Sequence, residues 1–321
     1  MLDVINLALP FFGLMFLGYA CGKLRSIPHS GLAWMNFFII YVALPSMFYR
    51  ILSRTPIEEV VNVPFMIGVT LATFLACVLS FVIAWVMRVG GVPEATMAAA
   101  AGGYGNVGYM APGLALATLG PEATVPVALI FCFDSTLIFV LVPLMMTLAK
   151  GPRDSLPAAL LQIVKRVALH PFIIATVLGI ASAALRLQPP VALDTLLQFL
   201  ANAAAPCALF TLGVTVALRP LTSVPWEVPP VIFVKLVVHP IMVLVILSAL
   251  GPQPEIWVYT AVLLAALPPA LNVFVLARQY ETWVSQASSS ILLGTVASVP
   301  TLTFVMWLVT TKRLPTSLFG F

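Results

Sequence analysis

Charge is what this chain has least of. Charged residues fill 8% of its 321 positions, where an ordinary soluble domain carries roughly 25%. Apolar residues fill 61%. Few surfaces on such a chain can face water, which excludes a soluble domain of any size. The net charge of +4 is no nucleic-acid signal, because the basic residues stand singly or in pairs at the ends of apolar runs. Histidine is scarce, and no HExxH occurs. The four cysteines, Cys21, Cys77, Cys132 and Cys207, lie within or at the ends of apolar runs without metal-ligand spacing, and read as small packing residues. No metal or cofactor is expected. An intramembrane aspartyl protease needs two facing aspartates, and Asp134 is the one aspartate deep in an apolar run. No serine sits in a nucleophile-like glycine setting, so the chain does not read as an enzyme.

What the chain does have is long apolar runs. A bilayer-spanning helix needs about 20 apolar residues. Candidate spans fall at 4–23, 32–52, 64–87, 96–118, 124–148, 167–185, 193–217, 229–250, 256–277 and 286–310. The expectation is an all-α integral membrane protein of about ten transmembrane helices. The opening stretch starts with Asp3, lacks a basic flank and runs past Gly18, so it reads as the first span rather than a cleavable signal. The longest polar break separates a first half, 1–150, from a second, 167–321, with a connecting loop at 151–166. Odd-numbered loops hold nine Lys and Arg residues, against five in the even loops and tail. Positive residues favour the cytoplasm. The odd loops are therefore expected inside and both termini outside, in the inner (plasma) membrane.

The halves resemble one another. Residues 10–45 align without gaps on 171–206, with 12 identities in 36 positions. Pro10, Gly18, Arg25, Pro28 and Pro45 meet Pro171, Gly179, Arg186, Pro189 and Pro206. Shared apolar composition explains some Leu and Ala matches, but not prolines, glycine and arginine in register. Each half would hold five spans. Five is odd, so the second half enters the membrane from the opposite side, an inverted repeat of the kind many secondary transporters use.

Two spans in matching positions are interrupted. The fourth reads AGGYGNVGYMAPG from Ala101, and the ninth AALPPALNVFV from Ala265. Proline removes a backbone donor, and clustered glycine permits unwinding. A broken helix within a bilayer is tolerated only where protein or a wet cavity satisfies its free peptide groups. Its half-helix N-termini form a positive pole suited to a carboxylate. Asn106 and Asn272 each add an amide that both donates and accepts. Gly105, Pro268 and Pro269 belong to the same candidate site. Tyr104 and Tyr109 flank Asn106 and either line the cavity or pack. The bland alternative is that the glycines only permit close helix packing.

The run from Asn106 through Met110 to Pro112, and Leu267-Pro268-Pro269 through Phe274, Ala277 and Tyr280, resemble the auxin efflux carrier family. So does the opening LALPFFGLMFLGYACGKL, and the likeness covers essentially the whole chain. That family includes plant auxin exporters and bacterial carriers often described as malonate or other organic-acid permeases. The short middle loop looks bacterial. The resemblance implies a ten-span inverted repeat whose two crossover helices sit in a mobile, elevator-type transport domain. It also implies an anionic substrate held by asparagines that match Asn106 and Asn272. The sequence departs from the plant pattern around Pro112 and in carrying Pro268-Pro269 before Asn272.

Asp134 lies well inside the fifth span, in LIFCFDSTLIF. An intramembrane carboxylate is a functional candidate by default, here for proton coupling or for organising the site. The alternative is a neutral acid bonded to a crossover helix for structure alone. Lys235 and His239 lie one turn apart in the eighth span. Lys235 reads as snorkelling to an interface. His239 and His170 read as packing or capping residues, and Glu122 and Glu255 as solvated. The expected function is secondary active transport of a small organic anion by alternating access, proton-coupled. Sodium coupling, or a channel-like or non-transporting protein of the same fold, are the alternatives. One half-domain would serve as scaffold and homodimer contact.

Overall fold

The computed structural model describes residues 2–25, 29–54, 62–150, 161, 164–165, 168–169, 171–187, 189–218 and 225–319. The expected connecting loop at 151–166 falls almost wholly outside them, and His170 lies outside as well. The described residues are helical with no strand, and helix occupies every segment expected to hold a span. In chain order the helices are α1 Leu2–Leu24, α2 His29–Phe38, α3 Leu44–Leu52, α4 Val63–Val86, α5 Val92–Gly103, α6 Ala111–Leu119 and α7 Thr124–Lys150. There follow α8 Pro171–Ala184, α9 Val191–Ala217, α10 Val228–Phe233, α11 His239–Ala249, α12 Glu255–Ala265, α13 Leu271–Gln279 and α14 Val284–Thr310. Six helical stretches, Gly31–Leu52, Val63–Val86, Pro121–Ala149, Val191–Ala217, Val228–Ala249 and Val284–Thr310, are long and apolar enough to cross a bilayer. The fourth and ninth expected spans are each split into two short helices, at 104–110 and 266–270.

Prolines explain two local distortions. A π-helical turn, Ile39–Ala43, joins α2 to α3 just before Pro45. Another, Val234–Val238, joins α10 to α11 just before Pro240. Proline lacks the N–H for the usual bond, and its ring crowds the preceding turn. Widening the helix by one residue relieves that clash. The second π turn carries Lys235.

The helices pack as two groups. In one, α1 runs along α9, while α8 and α9 both pack on α3. In the other, α4 holds α5 and α11, α7 holds α4 and α5, and α12 lies on α11 and α7. Small residues set the closest approaches, as expected where lipid removes the hydrophobic drive between helices. A Cβ on Gly18 would lie 2.1 Å from the Phe210 carbonyl oxygen, and one on Gly179 3.1 Å from that of Tyr49. The two contacts are reciprocal: Gly179 is the repeat partner of Gly18, and Phe210 stands at the position of Tyr49 in the same register.

Large apolar side chains such as Phe16, Trp34, Val191 and Phe199 are exposed around the first group, an arrangement suited to lipid and not to water. The interior is different. Every residue of α5 from Ala95 to Gly103 is buried, as is every residue of α12 from Val258 to Ala265. Helices apolar on all sides belong in a protein interior. These two buried helices lead directly into the two breaks.

Candidate substrate site

The breaks face each other and pair. The Asn106 N–H donates to the Pro268 carbonyl at 2.8 Å, and the Ala270 N–H donates to the Tyr104 carbonyl at 3.0 Å. Gly105 and Pro269 form an isolated antiparallel bridge between these bonds. The sequence accounts for the short ladder. Pro268 and Pro269 have no N–H and contribute only acceptors, so each break donates one N–H to the other and the ladder has two bonds. Below the ladder the Met110 N–H returns to the Asn106 carbonyl at 3.1 Å and starts α6. The first turns of α6 and α13 have no side-chain cap at Met110 or Ala270. Their positive ends are therefore not neutralised by a local carboxylate or hydroxyl.

Asn106 is 1% exposed, and neither its Nδ2 nor its Oδ1 has a hydrogen-bond partner among the described residues. An amide buried without partners costs about 1–3 kcal/mol for each unsatisfied group. A bound ligand is the direct way to recover that energy. Asn272 is half-buried at the start of α13. The Tyr104 hydroxyl meets both the Asn272 amide and the Ser135 hydroxyl, the latter at 2.9 Å. Tyr104 is thus a fully buried post between the break and α7, not a side chain lining open space. Tyr109 points away from the ladder, and its hydroxyl reaches Asn36 Oδ1 on α2 at 3.5 Å.

Asp134 is buried on α7, next in sequence to Ser135, and its Oδ1 has no hydrogen-bond partner among the described residues. Its carboxylate is met by the Thr73 hydroxyl and the charge of Lys235. Lys235 does not snorkel. It is 0% exposed, and its Nζ donates to the Ala265 carbonyl at the end of α12 and contacts His239 Nδ1 at 3.0 Å. His239 Nε2 in turn contacts the Thr73 hydroxyl at 3.2 Å. The physical reason is the π turn, which carries Lys235 toward the second break instead of along the helix toward an interface. Glu255 stays at the surface as expected, paired with Lys312 at 3.4 Å.

The structure therefore unites Asn106, Gly105, Tyr104, Asn272, Pro268, Pro269 and Asp134, and adds Thr73, Ser135, Lys235 and His239. Two charged or titratable side chains four apart in one apolar span were the available signal for Lys235 and His239. A single hydroxyl in an apolar helix, as at Thr73 and Ser135, carries none. Two apolar grooves elsewhere, one lined by Phe12, Met15, Tyr19 and Leu292, the other by Leu236, Pro240, Ile241 and Phe304, contain none of the predicted site residues.

Residues 3–306 match the family described as "Membrane transport protein". The chain is 47% identical over 319 residues to a protein of Rhizobium meliloti (strain 1021) named "Putative malonate transporter", covering 99% of this chain and all of that one. It is 28% identical over 298 residues to an "Uncharacterized transporter" of Methanothermobacter thermautotrophicus, covering 90% and 93% of the two chains. A buried polar site between paired helix breaks, inside an all-helical apolar protein, fits transport and not catalysis. The chain belongs to the membrane transport protein family, that of the auxin efflux carriers.

Proposed function

We propose that this protein is a secondary active carrier of small carboxylates, with malonate as the first candidate, and that it works by alternating access. The carrying observation is Asn106: a buried amide with no hydrogen-bond partner among the described residues, beside two uncapped half-helix N-termini. A carboxylate leaving water needs fixed donors to replace its hydration. The amides of Asn106 and Asn272 and the two positive helix ends provide them. The name of the Rhizobium relative supports malonate. Asp134 carries the coupling proton, as the one buried carboxylate beside the site with an unpartnered oxygen among the described residues.

The chain crosses the inner membrane ten times in two inverted halves, 1–150 and 167–321, and the broken fourth and ninth crossings are the crossover helices. The reciprocal Gly18–Phe210 and Gly179–Tyr49 contacts support this reading, because a two-fold relation between halves generates such pairs. The group built on α1, α3, α8 and α9 is the scaffold and homodimer contact, and the group holding the breaks moves with the substrate, elevator fashion. Uptake of labelled malonate and a panel of mono- and dicarboxylates into proteoliposomes, with proton and sodium gradients imposed separately, tests the function. Saturable uptake with counterflow, driven by the proton gradient, is the expected result. Linear uptake without counterflow shows a channel, and drive by sodium alone removes Asp134 from the coupling role.

In this topology both termini are outside and the segment 151–166 is cytoplasmic. With the native cysteines replaced, Ser155→Cys should label in opened membranes and not in intact cells treated with an impermeant maleimide. Ready labelling in intact cells reverses the orientation.

A further inference from the structure

We propose that the Lys235 ammonium is a built-in counter-cation, filling the place beside the second break that a small mobile cation would otherwise take. The last carbonyls of a helix are unpaired and form its negative end. The α12 helix ends at Ala265 in the protein interior, and the Ala265 carbonyl accepts from Lys235 Nζ. Nζ also contacts His239 Nδ1 at 3.0 Å and lies within the influence of Asp134 and the Cys77 thiol. An ammonium has donors only. His239 Nδ1 therefore accepts, its proton sits on Nε2, and Nε2 donates to the Thr73 hydroxyl at 3.2 Å. The Thr73 hydrogen is then free for the Asp134 carboxylate. Lysine, histidine, threonine and aspartate, drawn from the second π turn, α11, α4 and α7, form a chain of one-way donors that starts at the ammonium and leads toward the carboxylate.

Remove the ammonium and what remains is the unpaired carbonyl end of α12, with the negative charge of Asp134 acting on the same place. Half-helix C-terminal ends of that kind coordinate small monovalent cations in carriers with broken helices. Gly105 makes the room: a Cβ there would lie 3.2 Å from Lys235 Nζ and 3.2 Å from the Leu264 carbonyl oxygen. The cation is thus tethered to the chain, and the site has no vacancy for sodium. Lys235 acts on the substrate through Asp134 and the α12 carbonyl end, as a positioning residue.

Purified protein in detergent tests this without any substrate. Wild-type melting temperature should be the same in sodium, methylammonium and choline chloride at equal ionic strength. Lys235→Ala should melt lower and recover saturably with sodium, methylammonium or ethylammonium, but not with bulky choline. In proteoliposomes, an arm that rests on the proposed transport function, Lys235→Ala should lose malonate uptake by roughly two orders of magnitude and regain part of it with methylammonium. Saturable sodium stabilisation of the wild type overturns the proposal, and that arm stands even if the variant does not fold. A folded Lys235→Ala indifferent to all small cations overturns it as well. Absence of malonate uptake by the wild type, with the melting results as expected, sinks the malonate reading and leaves the counter-cation in place.

Discussion

Asn106→Ala should weaken malonate binding by roughly 10- to 150-fold while leaving the fold intact. One hydrogen bond to a charged group is worth about 1.5–3 kcal/mol, which is that range in affinity. What makes the prediction sharp is that both polar atoms of the Asn106 side chain lack partners among the described residues. Truncation therefore removes no hydrogen bond between that side chain and its described neighbours, and it also removes a buried, unsatisfied amide. Melting temperature should stay level or rise. A structural asparagine behaves in the opposite way, losing stability with its partners. Asn272→Ala should weaken binding on the same scale, but with some loss of stability, because it also frees the Tyr104 hydroxyl from one of its contacts. Since both amides would hold one ligand, the double variant should fall short of the product of the single effects. Isothermal titration of purified protein with malonate measures all three. Affinities within about twofold of wild type in both single variants remove the anion site from the breaks.

Asp134→Asn should abolish concentrative uptake and spare exchange. With one proton carried per substrate molecule and no membrane potential, a gradient of about one pH unit can support roughly tenfold accumulation, because one pH unit is worth about 1.36 kcal/mol. The variant cannot take up and release a proton, so its internal and external malonate should equalise. The asparagine keeps the size of the side chain and an oxygen to accept from Thr73, so the site around the breaks should persist and malonate–malonate exchange should continue. Exchange is the internal control: loss of both activities marks Asp134 as structural. Retention of wild-type accumulation shows that the coupling proton, if there is one, travels by another group. Asn substitution also leaves Lys235 facing a neutral partner, so the variant separates the proton from the counter-cation.

Much of this protein is legible in one dimension. The scarcity of charge and the length of the apolar runs require helices in a bilayer, because an isolated segment in hydrocarbon must satisfy its own peptide groups. The breaks at 104–110 and 266–270 were readable from Gly102, Gly103 and Gly105 and from Pro268-Pro269, because proline and glycine act on the backbone where they stand. Asn106, Asn272 and Asp134 stood out because a polar side chain in an apolar run has to be accounted for. The direction of Lys235 was not readable in this way. Its helix periodicity is compatible with an interface, and only the π turn ahead of Pro240 together with the position of Ala265 turns it inward. Nor could local pattern show that Tyr104 braces Ser135, or that Asn106 and Ala270 complete a ladder across the two halves. Those contacts join residues far apart in the chain. Hydropathy and propensity are sums over neighbours, whereas a buried hydrogen bond depends on which distant group the packing brings within 3 Å of it.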